Sequence, residues 1–326
     1  MLRRVFLSAL AALLLAVAVL WGLKARADRH YYDGYDPAPP LNTQAGDIVP
    51  VEKNIAVFGQ ELPARYRRQA LTFEARAGEA IEAVMTLPFT PGDAPAPVIV
   101  LLHGSRQGKE FVEDICTPFN ESGFAMVCFD QLMSGGRRIP EGLVNLGRAY
   151  REHMWKTVHD TRRLIDCLQT RPDIDPERVY MLGASFGAIT GTAVLAQEKR
   201  VKAGVLVVGG GDARILAMAP AVRREVPGWL LPALPTLLSL AIGPAEPVLH
   251  APHTAGTPVL MQNGSKDSVI TPESGEALFA ALGGPKELRW YPIEHPDREP
   301  NGAEVVRMLD EGREWLLARD AEVTAK

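Results

Sequence analysis

Cysteine is scarce in this chain, and the three present, Cys116, Cys128 and Cys167, stand far apart. There is no C-x-x-C pair and no Cys/His cluster at metal-ligand spacing, so no disulfide framework, dithiol centre or zinc site is expected. Cys128 in "FAMVCFD" and Cys167 in "LIDCLQ" read as small buried hydrophobes. Blocks of like charge are missing too. The net charge is −4, and the pairs Arg67-Arg68, Arg137-Arg138, Arg162-Arg163 and Arg223-Arg224 are scattered, as solvated faces are. A nucleic-acid surface needs clustered Lys and Arg, so no nucleic-acid partner is expected. Internal repeats and long low-complexity tracts are absent as well. What remains is an ordinary globular composition, 47% hydrophobic and 23% charged over 326 residues. That length suits one large domain with additions, or two small ones.

The N-terminus carries Arg3 and Arg4 followed by an apolar run from Val5 to Leu23. A basic pair before an apolar run marks residues 1–27 as a secretory signal or a membrane anchor. The run suits an uncleaved anchor in length, while Ala25-Arg26-Ala27 offers an A-x-A cleavage site. A buried core helix is a third reading. The first two export the chain. The domain is then held to a membrane outside the cytoplasm, or released as a secreted or periplasmic protein after cleavage near Ala27. Residues 28–63, with "YYDGYDPAPPLNTQAGD", read as a Pro- and Gly-rich tether or irregular arm.

A regular pattern is expected over residues 64–320. "RRQALTFEARAGEAIEAVMTLP" alternates on both sides of Ala77-Gly78, which predicts a β-hairpin. "APVIVLLHG", "FAMVCFD", "RVYMLGAS", "VKAGVLVVGG" and "TPVLMQNG" are continuous apolar runs bounded by Gly or Pro, and "ELRWYPI" is a less regular one. Strands buried on both faces read this way. Helical patterns lie between them. "YREHMWKTVHDTRRLIDCLQT" places Met154, Val158, Ile165 and Leu168 near one face. "TPESGEALFAALGG" offers Thr271 as a cap and Pro272 at the first turn. The alternation predicts an α/β fold with a mostly parallel central sheet and helices on both faces. Its active site forms where the strand C-termini meet.

In "VYMLGASFGAIT", Gly183-Ala184-Ser185-Phe186-Gly187 matches G-x-S-x-G between a predicted strand and a predicted helix. Small residues around the serine suit a sharp, close-packed turn. A single histidine, His295, follows Asp267 in the chain. The order Ser185, Asp267, His295 gives a nucleophile, an acid to orient the imidazole, and a base. Glu294 and Asp297, which flank His295, remain alternatives for the acid. The pieces "LLHGS", "FD", "DPERVYMLGASFGA", "QNGSKDSVITP" and "IEHPD" occur in that order, and the chain from about Ala64 to Arg319 resembles the α/β-hydrolase superfamily, most nearly its dienelactone-hydrolase and acetyl-esterase branches. The resemblance implies an α/β-hydrolase fold.

Acyl transfer also needs oxyanion donors. The backbone N–H of Phe186 is one, and the loop after "VIVLLHG" supplies the second, from Ser105 or, failing that, Arg106. His103 and Asp130 read as structural. His153 and His159 sit on a helix, and His250 with His253 lacks a nearby acidic or thiol ligand. Two departures from the resembling pattern stand out. Glu294 and Pro296 flank His295 where a preceding glycine is common, and "DQLMSGGRR" matches the Gly-rich turn only loosely. Residues 212–257 show no strand pattern and hold Trp229, Leu230, Leu231, Leu234, Leu237, Leu238 and Leu240. They are expected to form a helical cap insertion that covers the strand edge and lines the pocket, that packs its leucines on the core, or that faces a membrane.

The leading expectation is a serine hydrolase with a small-molecule carboxylic ester as partner, extending to thioesters or lactones, and needing no metal or organic cofactor. A peptidase of the same fold and a non-catalytic binding protein of this fold are the alternatives.

Overall fold

A computed structural model describes residues 2–140, 143–296 and 302–325. Its strands are β1 (Gln44–Ala45), β2 (Val49–Val57), β3 (Gln60–Arg76), β4 (Glu79–Leu87), β5 (Ala96–Leu102), β6 (Ala125–Phe129), β7 (Ile174–Ala184), β8 (Val201–Val207), β9 (Val259–Gly264) and β10 (Lys286–Tyr291). They form one sheet in the order β1-β3-β4-β6-β5-β7-β8-β9-β10, with β2 paired to β3 outside that path. From β6 to β10 every pairing is parallel. The six apolar runs of the sequence are β5 to β10, nearly wholly buried except in β10. β3 and β4 make the expected antiparallel hairpin, turning at Gly78 with φ 75°.

The helices are α1 (Leu2–Arg29), α2 (Val112–Glu121), α3 (Leu143–Glu152), α4 (Trp155–Gln169), α5 (Phe186–Gln197), α6 (Ala213–Ala217), α7 (Pro220–Arg224), α8 (Leu234–Ile242), α9 (Pro247–His250), α10 (Pro272–Ala281) and α11 (Gly302–Thr324). Two buried clusters separate cleanly by strand parity. One joins Val98, Val100 and Leu102 of β5 to α4 and α5. The other joins Ile99 and Leu101 to α2 and α11. Alternate residues of one strand thus feed opposite layers, which requires helices on both faces. Met154, Val158, Ile165 and Leu168 are all buried. The expected single helix is broken before Trp155 into α3 and α4. Thr271 stands at the N-cap of α10, but its hydroxyl makes no cap bond.

One boundary differs from expectation. The stretch expected as a tether or irregular arm up to residue 63 contains β2 and the start of β3. The Pro-rich part is bound to the domain as well. Arg163, 1% exposed, donates to the carbonyls of Pro37 (3.1 Å) and Pro39 (2.8 Å). The hydroxyl of Tyr31 donates to Tyr150 O, and Tyr32 is buried against His250. A buried guanidinium must find acceptors, and an arm that cannot join a ladder through its prolines still offers carbonyls. The N-terminal apolar segment forms α1, whose side chains from Leu14 to Leu23 are largely exposed. Among the described residues no helix is long and apolar enough to cross a membrane.

Candidate active site

Ser185 sits at the junction of β7 and α5, with φ 52° and ψ −112°. A non-glycine residue there is strained, and such strain gathers at functional sites. Its neighbours must be small. A Cβ on Gly187 would lie 1.8 Å from Leu102 O, and one on Gly183 would lie 2.4 Å from Gly187 O. The Ser185 N–H donates to Val207 O at 2.8 Å, fastening the turn between β5 and β8. The N-terminus of α5 beneath the serine favours negative charge beside it.

Asp267 follows β9 and His295 follows β10. The loops that carry them are stitched together by Ser265 N–H to Tyr291 O (2.7 Å) and Lys266 N–H to Ile293 O (3.1 Å). Asp267, its side chain fully buried, accepts from Val269 N–H (2.8 Å) and Ile270 N–H (2.7 Å) through Oδ1. Its Oδ2 lies 2.8 Å from His295 Nδ1. His295 Nε2 lies 3.0 Å from Ser185 Oγ. The structure therefore brings Ser185, His295 and Asp267 into one hydrogen-bonded chain. In the tautomer whose Nδ1–H donates to Asp267, Nε2 is placed to accept from the Ser185 hydroxyl.

Glu294, an alternative for the acid, does not reach the ring in this way. Its Oε1 accepts from Ser268 N–H (2.7 Å) and His295 N–H (2.8 Å). Partial burial opposes its ionisation, but these two donors outweigh that and hold its carboxyl below the usual carboxylate range. The side chain where a glycine is more common is thus a clamp between the acid loop and the histidine loop. Asp297, the other alternative, lies outside the described residues.

Ser105 borders the serine, while Arg106, at φ 66°, does not line the cleft. Among the described residues neither the Phe186 nor the Ser105 backbone N–H has a hydrogen-bond partner. The intervening Gly104 N–H is occupied by Gln107 Oε1 at 2.8 Å. His103 is buried and structural in its contacts: Nδ1 meets Gly104 O at 2.8 Å, and Gln131 Nε2 donates to His103 O at 2.7 Å. Burial holds the His103 imidazole below its ordinary pKa. Asp130 accepts from Lys109 N–H and Gly136 N–H and touches no member of the serine's chain. His159 and His250 are buried against the carbonyls of Tyr32 and Pro244, while His153 is exposed.

The serine opens into an apolar cleft of about 130 Å³. Besides Ser185 and His295 its walls include Phe58, Phe111, Ile115, Val207, Val208, Val305 and Leu309. Sequence reasoning missed this wall. It assigned the lining to residues 212–257, and none of them borders the cleft. That insertion is helical, and through Arg214, Ile215, Met218, Pro220 and Pro235 it borders a second open groove whose other wall includes Asp267 and Ser268. Only part of its apolar surface packs inward: Leu234 is buried, whereas Trp229 is 80% exposed and Leu237 and Leu240 are each 46% exposed. The cleft instead takes its wall from the β2–β3 turn, the start of α2 and the first turns of α11, elements remote in sequence from Ser185.

Comparison with known proteins agrees with this architecture. The profile of the Acetyl xylan esterase (AXE1) family matches residues 61–209, and that of the Prolyl oligopeptidase family matches residues 140–294. No match was found among curated proteins. Acetyl Xylan Esterase 1 from Thermoanaerobacterium sp. JW/SL YS485 is similar in structure, with TM-score 0.64, 18% identity, and coverage of 88% of this chain and 93% of that one. The acetyl xylan esterase from Paenibacillus sp. R4 gives TM-score 0.63 and 18% identity over 90% and 93%. A puromycin-hydrolysing peptidase of Mycobacterium tuberculosis gives TM-score 0.59 and 20% identity over 79% of this chain and 42% of its own. With the parallel sheet, the strained serine turn and these family matches, the chain is a member of the α/β-hydrolase superfamily.

Proposed function

We propose that the protein is a serine hydrolase of carboxylic esters, with Ser185 as nucleophile. The observation that carries this reading is the chain Ser185 Oγ to His295 Nε2 (3.0 Å) and His295 Nδ1 to Asp267 Oδ2 (2.8 Å). His295 takes the hydroxyl proton as Ser185 Oγ attacks the ester carbonyl. Asp267 orients the ring and stabilises the imidazolium. The Phe186 and Ser105 N–H groups receive the oxyanion, each such donor contributing about 3 kcal/mol to the transition state. His295 then protonates the leaving alcohol, and water activated by the same nitrogen releases the acid from the acyl-enzyme. The esterase family match and the esterase-like structures support an ester as substrate. The Prolyl oligopeptidase family match supports a second reading, in which the same groups cleave an amide. Arg3-Arg4 and the apolar run behind them support export, which N-terminal sequencing of the mature protein tests.

The deciding experiment is covalent labelling with a fluorophosphonate, mapped by mass spectrometry, beside Ser185→Ala, followed by ester, thioester and aminoacyl-amide substrates. An adduct on Ser185 and ester turnover support the reading. Folded protein that stays unlabelled and turns over nothing refutes it. Turnover of amides alone selects the peptidase.

A further inference from the structure

We infer that this hydrolase is built for an apolar acyl group larger than acetyl, and that Phe58 shapes its pocket; the inference rests on the ester-hydrolase reading above. β2 and β3 pair residue for residue up to Val57 and Gln60, which leaves a two-residue turn, Phe58-Gly59. Both residues have positive φ, 51° and 75°. A turn of this kind selects Asn, Asp or Gly at its first position, and a bulky aromatic there is an outlier. The strain is confined by its surroundings. The Phe58 ring meets Phe111 edge-on at 6.4 Å and 82°. A Cβ on Gly302, at the start of α11, would lie 2.2 Å from Phe58 O. So α11 and the start of α2 close around the turn and hold its ring in the wall of the serine's cleft.

A second outlier lines the same cleft. Val208 has φ 45°, a conformation hostile to a β-branched residue, and its N–H is fixed to Gln262 O at 2.7 Å. Phe58, Ser185 and Val208 therefore place three strained non-glycine residues on one cavity. Strain of this kind persists where the surrounding structure requires a particular side chain at a particular place. Here it presents apolar surface beside the nucleophile. An apolar cavity of about 150 Å³ holds a benzene ring, so the cleft of about 130 Å³ has room for an acyl group of roughly that size. An acetyl group would leave most of it empty, whereas a benzoyl group or a straight chain of roughly six to eight carbons fills it. Among the described residues the wall holds no Lys or Arg to pair a charged acyl group.

The test uses the full chain with p-nitrophenyl acetate, hexanoate and benzoate, in the wild type, Phe58→Asn and Phe58→Leu. The wild type should give kcat/KM on hexanoate or benzoate about tenfold above acetate. Phe58→Asn suits the turn and should keep or raise the melting temperature, while the hexanoate-to-acetate ratio falls about fivefold. Phe58→Leu should fall between the two. Acetate as the best substrate, or an unchanged ratio in Phe58→Asn, overturns the inference and leaves the ester-hydrolase reading standing. No turnover of any ester and no fluorophosphonate adduct on Ser185 overturns both.

Discussion

Glu294 allows the sharpest test of how the site is held. Its Oε1 accepts two backbone N–H groups, of Ser268 beside the acid and of His295 itself. Replacing it by alanine leaves both donors without that oxygen. A hydrogen bond to a charged group contributes about 1.5–3 kcal/mol when buried; Glu294 is only partly buried, so about 1–1.5 kcal/mol each is the appropriate range. If the whole of that sum serves to position His295, the loss in kcat is roughly 30- to 150-fold. Glu294 does not line the cleft, so KM should stay within about twofold. Glu294→Gln keeps an oxygen acceptor and should stay within about fivefold of the wild-type kcat. The assay is steady-state hydrolysis of a p-nitrophenyl ester, with melting curves alongside. Two results would refute the reasoning. Glu294→Ala could keep its kcat, which removes the clamp. Glu294→Gln could fall as far as Glu294→Ala, which makes charge rather than geometry the cause. The carboxyl lies below its usual value, so the clamp's share of stability is present above about pH 4.5 and is lost as the pH falls through the lower folded value.

Asp267→Asn should keep the fold but lower kcat by about 10³–10⁴-fold, because the amide favours the wrong imidazole tautomer; a loss under about tenfold in stopped assays would remove Asp267 from the mechanism. Gly187→Ala forces a Cβ to 1.8 Å from Leu102 O, and since neither backbone can yield, a loss of about 3 kcal/mol or more is expected, read as a melting point lowered by roughly 6–12 °C. His103, His159 and His250 are all held below the ordinary histidine value, in each case chiefly by burial. Their folded pKa values are depressed, so their share of stability is complete above about pH 6.5 and is lost as the pH falls from there towards the folded values. Melting temperature should therefore decline between about pH 7 and 5.5. A flat profile over that window would count against neutral burial of the three rings.

How much of this was legible in the sequence follows from how far each signal reaches. β5 to β10 were legible because a strand buried on both faces must be apolar throughout, and Gly or Pro marks its ends. The serine turn was legible because its steric demands fall on Gly183 and Gly187, two residues to either side of Ser185. The order of Ser185, Asp267 and His295 came from chain order and the presence of one late histidine. That they meet at 3.0 and 2.8 Å is a property of three strand ends brought together by the sheet. Glu294 stood out as an anomaly, but its partner Ser268 lies 26 residues away, so only the paired loops revealed its use. How the Pro-rich arm is held was illegible for a similar reason. Its composition removes ladder donors, while the buried Arg163 that binds its carbonyls stands more than 120 residues later. The wall of the cleft was wholly a tertiary matter. Phe58, Phe111 and Val305 carry no shared pattern, and proximity among them arises because a hairpin and the last helix cross the same end of the sheet. Local sterics and periodicity are written along the chain, and the sequence alone determined the sheet and the turn that carries Ser185. Contacts between distant segments depend on how the layers pack, and these decided the setting of Asp267, the Glu294 contacts and the shape of the pocket.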